Sequence, residues 1–170
     1  MRVMDLRDGQ TISEKIAIAN KLHDRWGEAL KSDPEISAGL GELSARVAAS
    51  SELCLSSGVA KECKVCEEEE GGSCCGAGIE NTYSPELLLI NLLLGVRLPD
   101  FRSSSGSCFF LGEGGCRLSA REILCINYLC KKLQKTIPPE MRLRLQEVNG
   151  AEMDFIFLLH ERIKRFIMSR

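Results

Sequence analysis

Apolar positions recur at helical steps over most of this chain. Ile12, Ile16, Ala19, Trp26 and Leu30 fall at three- and four-residue spacing, with His23 on the same seam, and predict a helix over residues 11–31. Thr11 and Glu14 match a capping box at its start. Asp33-Pro34 then reads as an N-cap followed by proline at the first helical position. The helix it opens runs to about residue 55, with Ile36, Leu40, Leu43 and Val47 inward and Cys54 on the same face. Gly39 and Gly41 weaken its start. The two helices are expected to pack as an antiparallel hairpin.

The periodicity stops at residues 56–83, which are rich in Gly, Ser, Glu and Cys and predict a loop. So long a loop is unusual inside a compact body, and ligation of a metal would supply the order that a missing core does not. Ser84-Pro85-Glu86 opens a helix to about Leu94, and residues 95–107 read as loop. Cys108–Leu111 and Cys116–Leu118 read as two short extended arms about a glycine turn. Ser119 and Glu122 give an S-x-x-E signature for a helix carrying Ile123, Leu124, Cys125, Tyr128, Leu129 and Cys130 on to Leu133, ended by Pro138-Pro139. A short helix over 139–148, a break at Asn149-Gly150 and a last helix over 151–168 complete the chain.

The pattern therefore predicts a mainly α fold. It is a single domain over residues 1–170, with about five to six helices framing a cysteine-rich metal-binding loop, and a short β-hairpin. Within it lie a helical hairpin (11–55), a cysteine-cluster core (56–135) and C-terminal helices (136–170).

The net charge of −2 offers nothing overall to nucleic acid or to an anionic membrane. Met1 to Gln10 has no apolar leader core, and the longest apolar run, Leu87–Leu94, contains Asn91 and falls short of the ~20 residues a span needs. The expectation is a cytoplasmic protein. In that reducing setting clustered cysteines are metal ligands or redox thiols more often than disulfides, and the odd total of nine fits a closed disulfide framework poorly.

Eight of the nine cysteines lie between residues 63 and 130, in four pairs: Cys63/Cys66, Cys74/Cys75, Cys108/Cys116 and Cys125/Cys130. Thiolates ligate zinc and iron–sulfur clusters, usually four to a site, so eight serve either one site with spares or two full ones. All eight are candidate ligands. Cys125 and Cys130 pose a problem of direction, since five residues on a helix rotate about 140° past a full turn. Either Cys125 alone ligates or the helix ends before Cys130. Adjacent thiolates such as Cys74 and Cys75 rarely chelate one small ion together. They bridge two metals, or one ligates while the other waits. Gly71, Gly72, Gly76 and Gly78 around them would let backbone N–H groups approach sulfur. Cys54, on a helix face, reads as a small hydrophobe. Glu67–Glu70 reads as a solvated run, His23 as a packed core histidine and His160 as a surface one. Arg121 would neutralise thiolate charge or pair with an acid, and its place in the capping box also makes it an ordinary first-turn residue.

The order C-x2-C, C-C, C-F-F-L, glycine turn with C, then R-x3-C-x-x-Y-x-C resembles the bacterial CxxCxxCC family, the YkgJ-like cysteine-cluster proteins described as zinc- or iron-chelating. The matching stretches are Cys63–Cys75, Cys108–Leu111, Gly115-Cys116 and Arg121–Cys130. Two features depart from the family pattern: the gap from Cys66 to Cys74 is long, and Glu122 stands where a proline is usual. The resemblance implies metal chelation and no settled reaction, although similar modules look to be part of some flagellin lysine N-methylases. The residues favour an iron–sulfur cluster over zinc, because the donors are thiolates with almost no credible histidine. A structural zinc module for a protein partner, and a cluster-dependent redox or methyl-transfer enzyme, are the alternatives; no general base stands in a recognisable setting for the last.

Overall fold

The computed structural model describes residues 10–70 and 72–170; the leader expectation rests on residues outside this range. Seven α-helices and one two-stranded hairpin make up the described residues, a mainly α architecture. Helix α1 (Ile12–Ser32) begins with both halves of the capping box, the Thr11 N–H donating to Glu14 Oε2 at 2.7 Å and the Glu14 N–H to Thr11 Oγ1 at 3.3 Å. Helix α2 (Pro34–Ser56) begins at Asp33, whose carboxylate accepts from the Glu35 and Ile36 N–H groups.

The centre of the fold is α4 (Pro85–Leu93). Its residues Leu88, Leu89, Ile90 and Asn91 are all fully buried. A helix apolar all round has no solvent face and must be covered on every side. Accordingly α1 packs chiefly on α4 rather than on α2, and α2 packs chiefly on α7 (Pro139–Met168). The expected α1–α2 hairpin exists as a contact, but each arm has a larger partner elsewhere.

Three sequence expectations give way here. The C-x2-C pair lies on a helix, α3 (Val59–Glu69), not in a loop. Gly58, at φ +85°, supplies the left-handed residue that separates α2 from α3. Beyond Val59 the helix buries little, so no apolar period marks it; its residues are mostly strong helix formers (Ala60, Lys61, Glu62, Lys64, Glu67–Glu69).

The helix expected from Ser119 to Leu133 is two helices, α5 (Ile123–Asn127) and α6 (Lys131–Thr136). Ser119 does not cap, because the helix starts only at Ile123; the Ser119 N–H donates to Asn91 Oδ1 at 2.9 Å, and Glu122 caps, accepting from the Ile123 N–H.

The break expected at Asn149-Gly150 is absent, and α7 runs unbroken through it. Asn149 is buried, and its Nδ2 donates to the Ile126 carbonyl at 2.8 Å. The asparagine that looked like a turn former is a tertiary anchor. It also explains the end of α5: the carbonyl that a continuing helix would offer to the Cys130 N–H is taken by Asn149.

Apolar side chains form two clusters. The larger joins α1, α2, α4 and α7 with Tyr83, Phe109, Phe110, Leu118 and Ile126. The smaller joins Leu53, Val59, Leu133, Ile137 and Leu145 at the far end of α2 and the start of α7. Cys75, Cys108 and Cys125 pack on the first cluster, and Cys54 and Cys130 on the second. Cys63, Cys66, Cys74 and Cys116 belong to neither cluster.

Candidate metal centre

The segment after α3 is tied down by hydrogen bonds rather than by a core. Glu67, read as part of a solvated run, accepts from the Ser73 N–H at 2.9 Å and from the Ser73 and Ser107 hydroxyls. Those bonds hold its carboxyl below the usual carboxylate range, Ser107 contributing most. Two backbone bonds then join residues 75–77 to 106–108: the Ala77 N–H donates to the Gly106 carbonyl at 3.0 Å and the Cys108 N–H to the Cys75 carbonyl at 2.6 Å. Buried Glu80 pairs with Arg102, which also donates to the Ser107 carbonyl. The order of this region therefore has protein sources, and a metal is not the sole physical remedy for a coreless loop.

The strands β1 (Leu111–Gly112) and β2 (Gly115–Cys116) form the expected hairpin, pairing Leu111 with Cys116 and Gly112 with Gly115. Gly115 sits at φ +104°, which glycine adopts without strain. The turn folds Cys116 back towards Cys108. Cys125 comes from α5, beneath Tyr83. The buried Tyr83 ring lies against Phe110 with centroids 5.0 Å apart. Its hydroxyl accepts from the Glu122 N–H at 3.2 Å and lies 3.8 Å from Cys125 Sγ. Sequence reading passed over Tyr83 because a tyrosine ahead of a helix cap carries no signal of what its hydroxyl reaches.

Asn91 was equally hidden, inside an apolar run. Its Oδ1 accepts from the Ser119 and Ala120 N–H groups, and its Nδ2 donates to the Leu87 and Ala120 carbonyls. It fixes the segment between Cys116 and Arg121.

Cys66, on α3, lies 3.6 Å from Lys132 Nζ, and the same lysine bridges Glu62 at 3.3 Å and Glu70 at 2.8 Å. The Cys66 thiol donates to Glu70 at 3.3 Å, which raises its pKa. Lys132 is two residues beyond Cys130, the N-cap position of α6, so it clamps the start of α6 along α3. Burial, then the neighbouring Cys54, Cys75, Cys74 and Cys130, pushes the Cys63 thiol up to about 11. Burial also raises Cys108 and Cys125 to about 11. The Phe110 and Leu118 N–H groups oppose that rise at Cys108 and Cys116. The donors near sulfur thus come from the hairpin segment; Gly72 and Gly78 take positive φ, and Gly71 lies outside the described residues.

Arg121 pairs with an acid. It stands 4.0 Å from the buried Glu152, and its charge draws down Cys54, Cys75, Cys116 and Cys125 against the burial that raises them. His160 is not a free surface residue: its Nε2 meets Ser84 Oγ at 3.2 Å and its Nδ1 meets Glu161 at 3.3 Å. His23 packs against Gly27.

Comparison of the chain with protein-family models, with curated proteins and with solved structures gives no match. The site therefore rests on its own chemistry. Neighbouring cysteines add to the burial that raises Cys63, Cys74, Cys108, Cys116 and Cys125. Yet no three His, Cys, Asp or Glu side chains among the described residues form a closed metal-holding group. The donor chemistry suits a thiophilic metal, since the sulfurs gather without a competing imidazole. Binding would have to draw them inward and displace their protons. Thiols held neutral are poor nucleophiles, and the same burial opposes ligation, which also needs the thiolate.

Proposed function

We propose that this protein binds metal through its cysteine thiolates, with an iron–sulfur cluster preferred over zinc. One observation supports the reading: Cys75 on the glycine segment and Cys108 before the hairpin, 33 residues apart in the chain, are joined by a backbone bond of 2.6 Å, and Cys125 lies 3.8 Å from the hydroxyl of Tyr83 on the same apolar cluster. Eight small hydrophobes would be expected inside those cores, whereas Cys63, Cys74 and Cys116 are exposed. The resemblance to the CxxCxxCC family points the same way, and a reducing, cytoplasmic setting would keep such thiols free of disulfides. Candidate ligands are Cys63, Cys66, Cys74, Cys75, Cys108, Cys116, Cys125 and Cys130. A bound cluster would supply one-electron redox chemistry, and zinc would supply rigidity. Among the described residues no helix is long and apolar enough to cross a membrane.

A structural zinc module that presents a surface to a protein partner has one observation in its favour. Ile123, Leu124 and Tyr128, beside Cys125, are each more than half exposed. The test is an absorption spectrum with elemental analysis on protein purified without oxygen. A broad band near about 400 nm with iron and sulfide supports the cluster. A colourless protein holding zinc supports the structural module. Protein that takes neither metal refutes the proposal.

A further inference from the structure

We infer that Glu152 is a proton-operated latch between α2 and α7: it carries a proton while locked to Ser50, and once ionised it must draw Arg121 onto itself or loosen the helix pair. The latch stands apart from metal binding. It places a pH-sensitive group in one of the main helix contacts of the fold.

Glu152 is fully buried on α7 and meets Ser50 of α2. An ionised carboxylate in such a place needs several donors or a bonded cation. Glu152 has neither. Among the described residues its Oε1 is buried without a hydrogen-bond partner, and Arg121 Nη2 stands 4.0 Å away, an ion pair at full stretch and too long for a hydrogen bond. Only Oε2 is bonded, to the Ser50 hydroxyl. The count of protons points the same way. Ser50 Oγ touches two oxygens, Glu152 Oε2 and the Val47 carbonyl at 3.1 Å. A hydroxyl has one proton to give and a carbonyl has none. Both contacts are bonded only when Glu152 supplies the second proton, so that Ser50 accepts from the carboxyl and donates to Val47.

The surroundings offer one counter-charge. On α2, Arg46 is committed elsewhere: it pairs with Glu42 at 2.8 Å and donates to the Ala151 carbonyl at 3.3 Å. Cys54, one turn beyond Ser50, feels Arg121 as well. The other helices against α7 bring Glu86 on α4, Cys125 on α5 and the charged groups of α1, the buried Lys15 among them, and none of these acts on Glu152. Burial is the largest influence and raises the carboxyl above its ordinary 4.5, while Ser50 and Arg121 oppose the rise. Loss of the proton would turn the Ser50 hydroxyl from Val47 to Glu152 and leave charge on Oε1 with no donor but Arg121. A closed Arg121–Glu152 bond would tie the segment ahead of α5 to α7. A carboxyl raised on folding gives its full stability below the unfolded value of 4.5 and loses it as pH rises towards the folded one.

The experiment is urea unfolding of the reduced full-length protein and of its Glu152→Gln variant, from about pH 4 to about pH 8. Glutamine keeps the shape of the side chain and cannot ionise. Relative to the variant, wild type should be most stable at the acid end. Its folding equilibrium should then lose about tenfold for each pH unit between 4.5 and the folded midpoint. A wild type that gains on the variant as pH rises holds an ionised, arginine-bonded Glu152 and overturns the inference. A difference that does not change with pH overturns it too. The carboxyl-carbon NMR resonance of Glu152 in wild type decides the matter even where the variant does not fold. A midpoint above 4.5 supports the latch, and one at or below 4.5 overturns it. In Arg121→Gln protein that midpoint should rise further, because the cation that favours the ionised form is gone. An unchanged midpoint would remove Arg121 from the device and overturn the latch as stated.

Discussion

Replacing Asn91 with leucine isolates the polar bond network that shapes the site from the apolar packing around it. The two side chains are similar in size, and residue 91 is fully buried at the centre of α4. Leucine would remove all four of its hydrogen bonds. The Leu87 carbonyl keeps its place in the helix ladder, but the Ala120 N–H and carbonyl, at a fully buried residue, lose their partners. Each such group costs about 1–3 kcal/mol, so the two together cost about 2–6 kcal/mol. Burying an apolar side chain instead returns about 1.5–3 kcal/mol. Taking the middle of each range, the net loss is about 2 kcal/mol, with the Ser119 N–H adding to it. Urea unfolding of the metal-free protein, followed by far-UV circular dichroism, reads it directly. At a slope of about 2 kcal/mol per molar for a chain of this size, the midpoint should fall by about 1 M. The loosened Leu118–Glu122 segment should also release metal faster, since it joins Cys116 to Cys125. A midpoint within 0.3 M of wild type would refute the reasoning, because it would mean that the Ala120 groups find water or other partners at no cost.

Three further outcomes follow from the same geometry. Asn149→Leu frees the Ile126 carbonyl, so α5 should extend towards Cys130; stability should fall by about 1–2 kcal/mol without loss of helical signal, and Cys130 should alkylate at a changed rate. Tyr83→Phe leaves the Glu122 N–H unpaired and removes the hydroxyl near Cys125, so about 1 kcal/mol of stability should go. In metal-loaded Tyr83→Phe protein the sulfur-to-metal absorption should shift, and an unchanged spectrum would place Tyr83 in the core alone. Burial by itself would raise the Glu80 carboxyl, but its bonds from Arg102 and the backbone outweigh that and hold it below its ordinary 4.5. A depressed folded value stabilises above 4.5 and is lost as pH falls through the lower value, so Glu80→Gln should flatten the acid side of the stability profile. An acid limb of unchanged slope in that variant would count against the pair.

What was legible in the sequence is what depends on neighbours in the chain. The Thr11 and Asp33 caps and the Ser84-Pro85 start are local hydrogen-bonding rules, and they appear where spacing placed them. The Leu111–Cys116 hairpin follows from glycine chemistry. The mainly α class was legible for the same reason. Helix α3 was not, because its stability comes from helix-forming residues and from Lys132 rather than from an apolar face.

The tertiary structure alone decided the rest, and asparagine shows why. Asn91 in an apolar run and Asn149 before a glycine look like a flaw and a turn; their meaning depends on Ala120 and Ile126, which lie 29 and 23 residues away along the chain. Once those backbone groups are buried they must find partners, and the side chain that supplies one overrides local propensity. Asn149 lies inside an unbroken α7 and binds the last turn of α5, and Asn91 holds the Ser119-Ala120 backbone ahead of the Glu122 cap. The sequence supplied the thiols and their spacing. Only the folded chain decided how the segments that carry them run, because that depends on where two apolar cores and a few buried amides let the backbone turn.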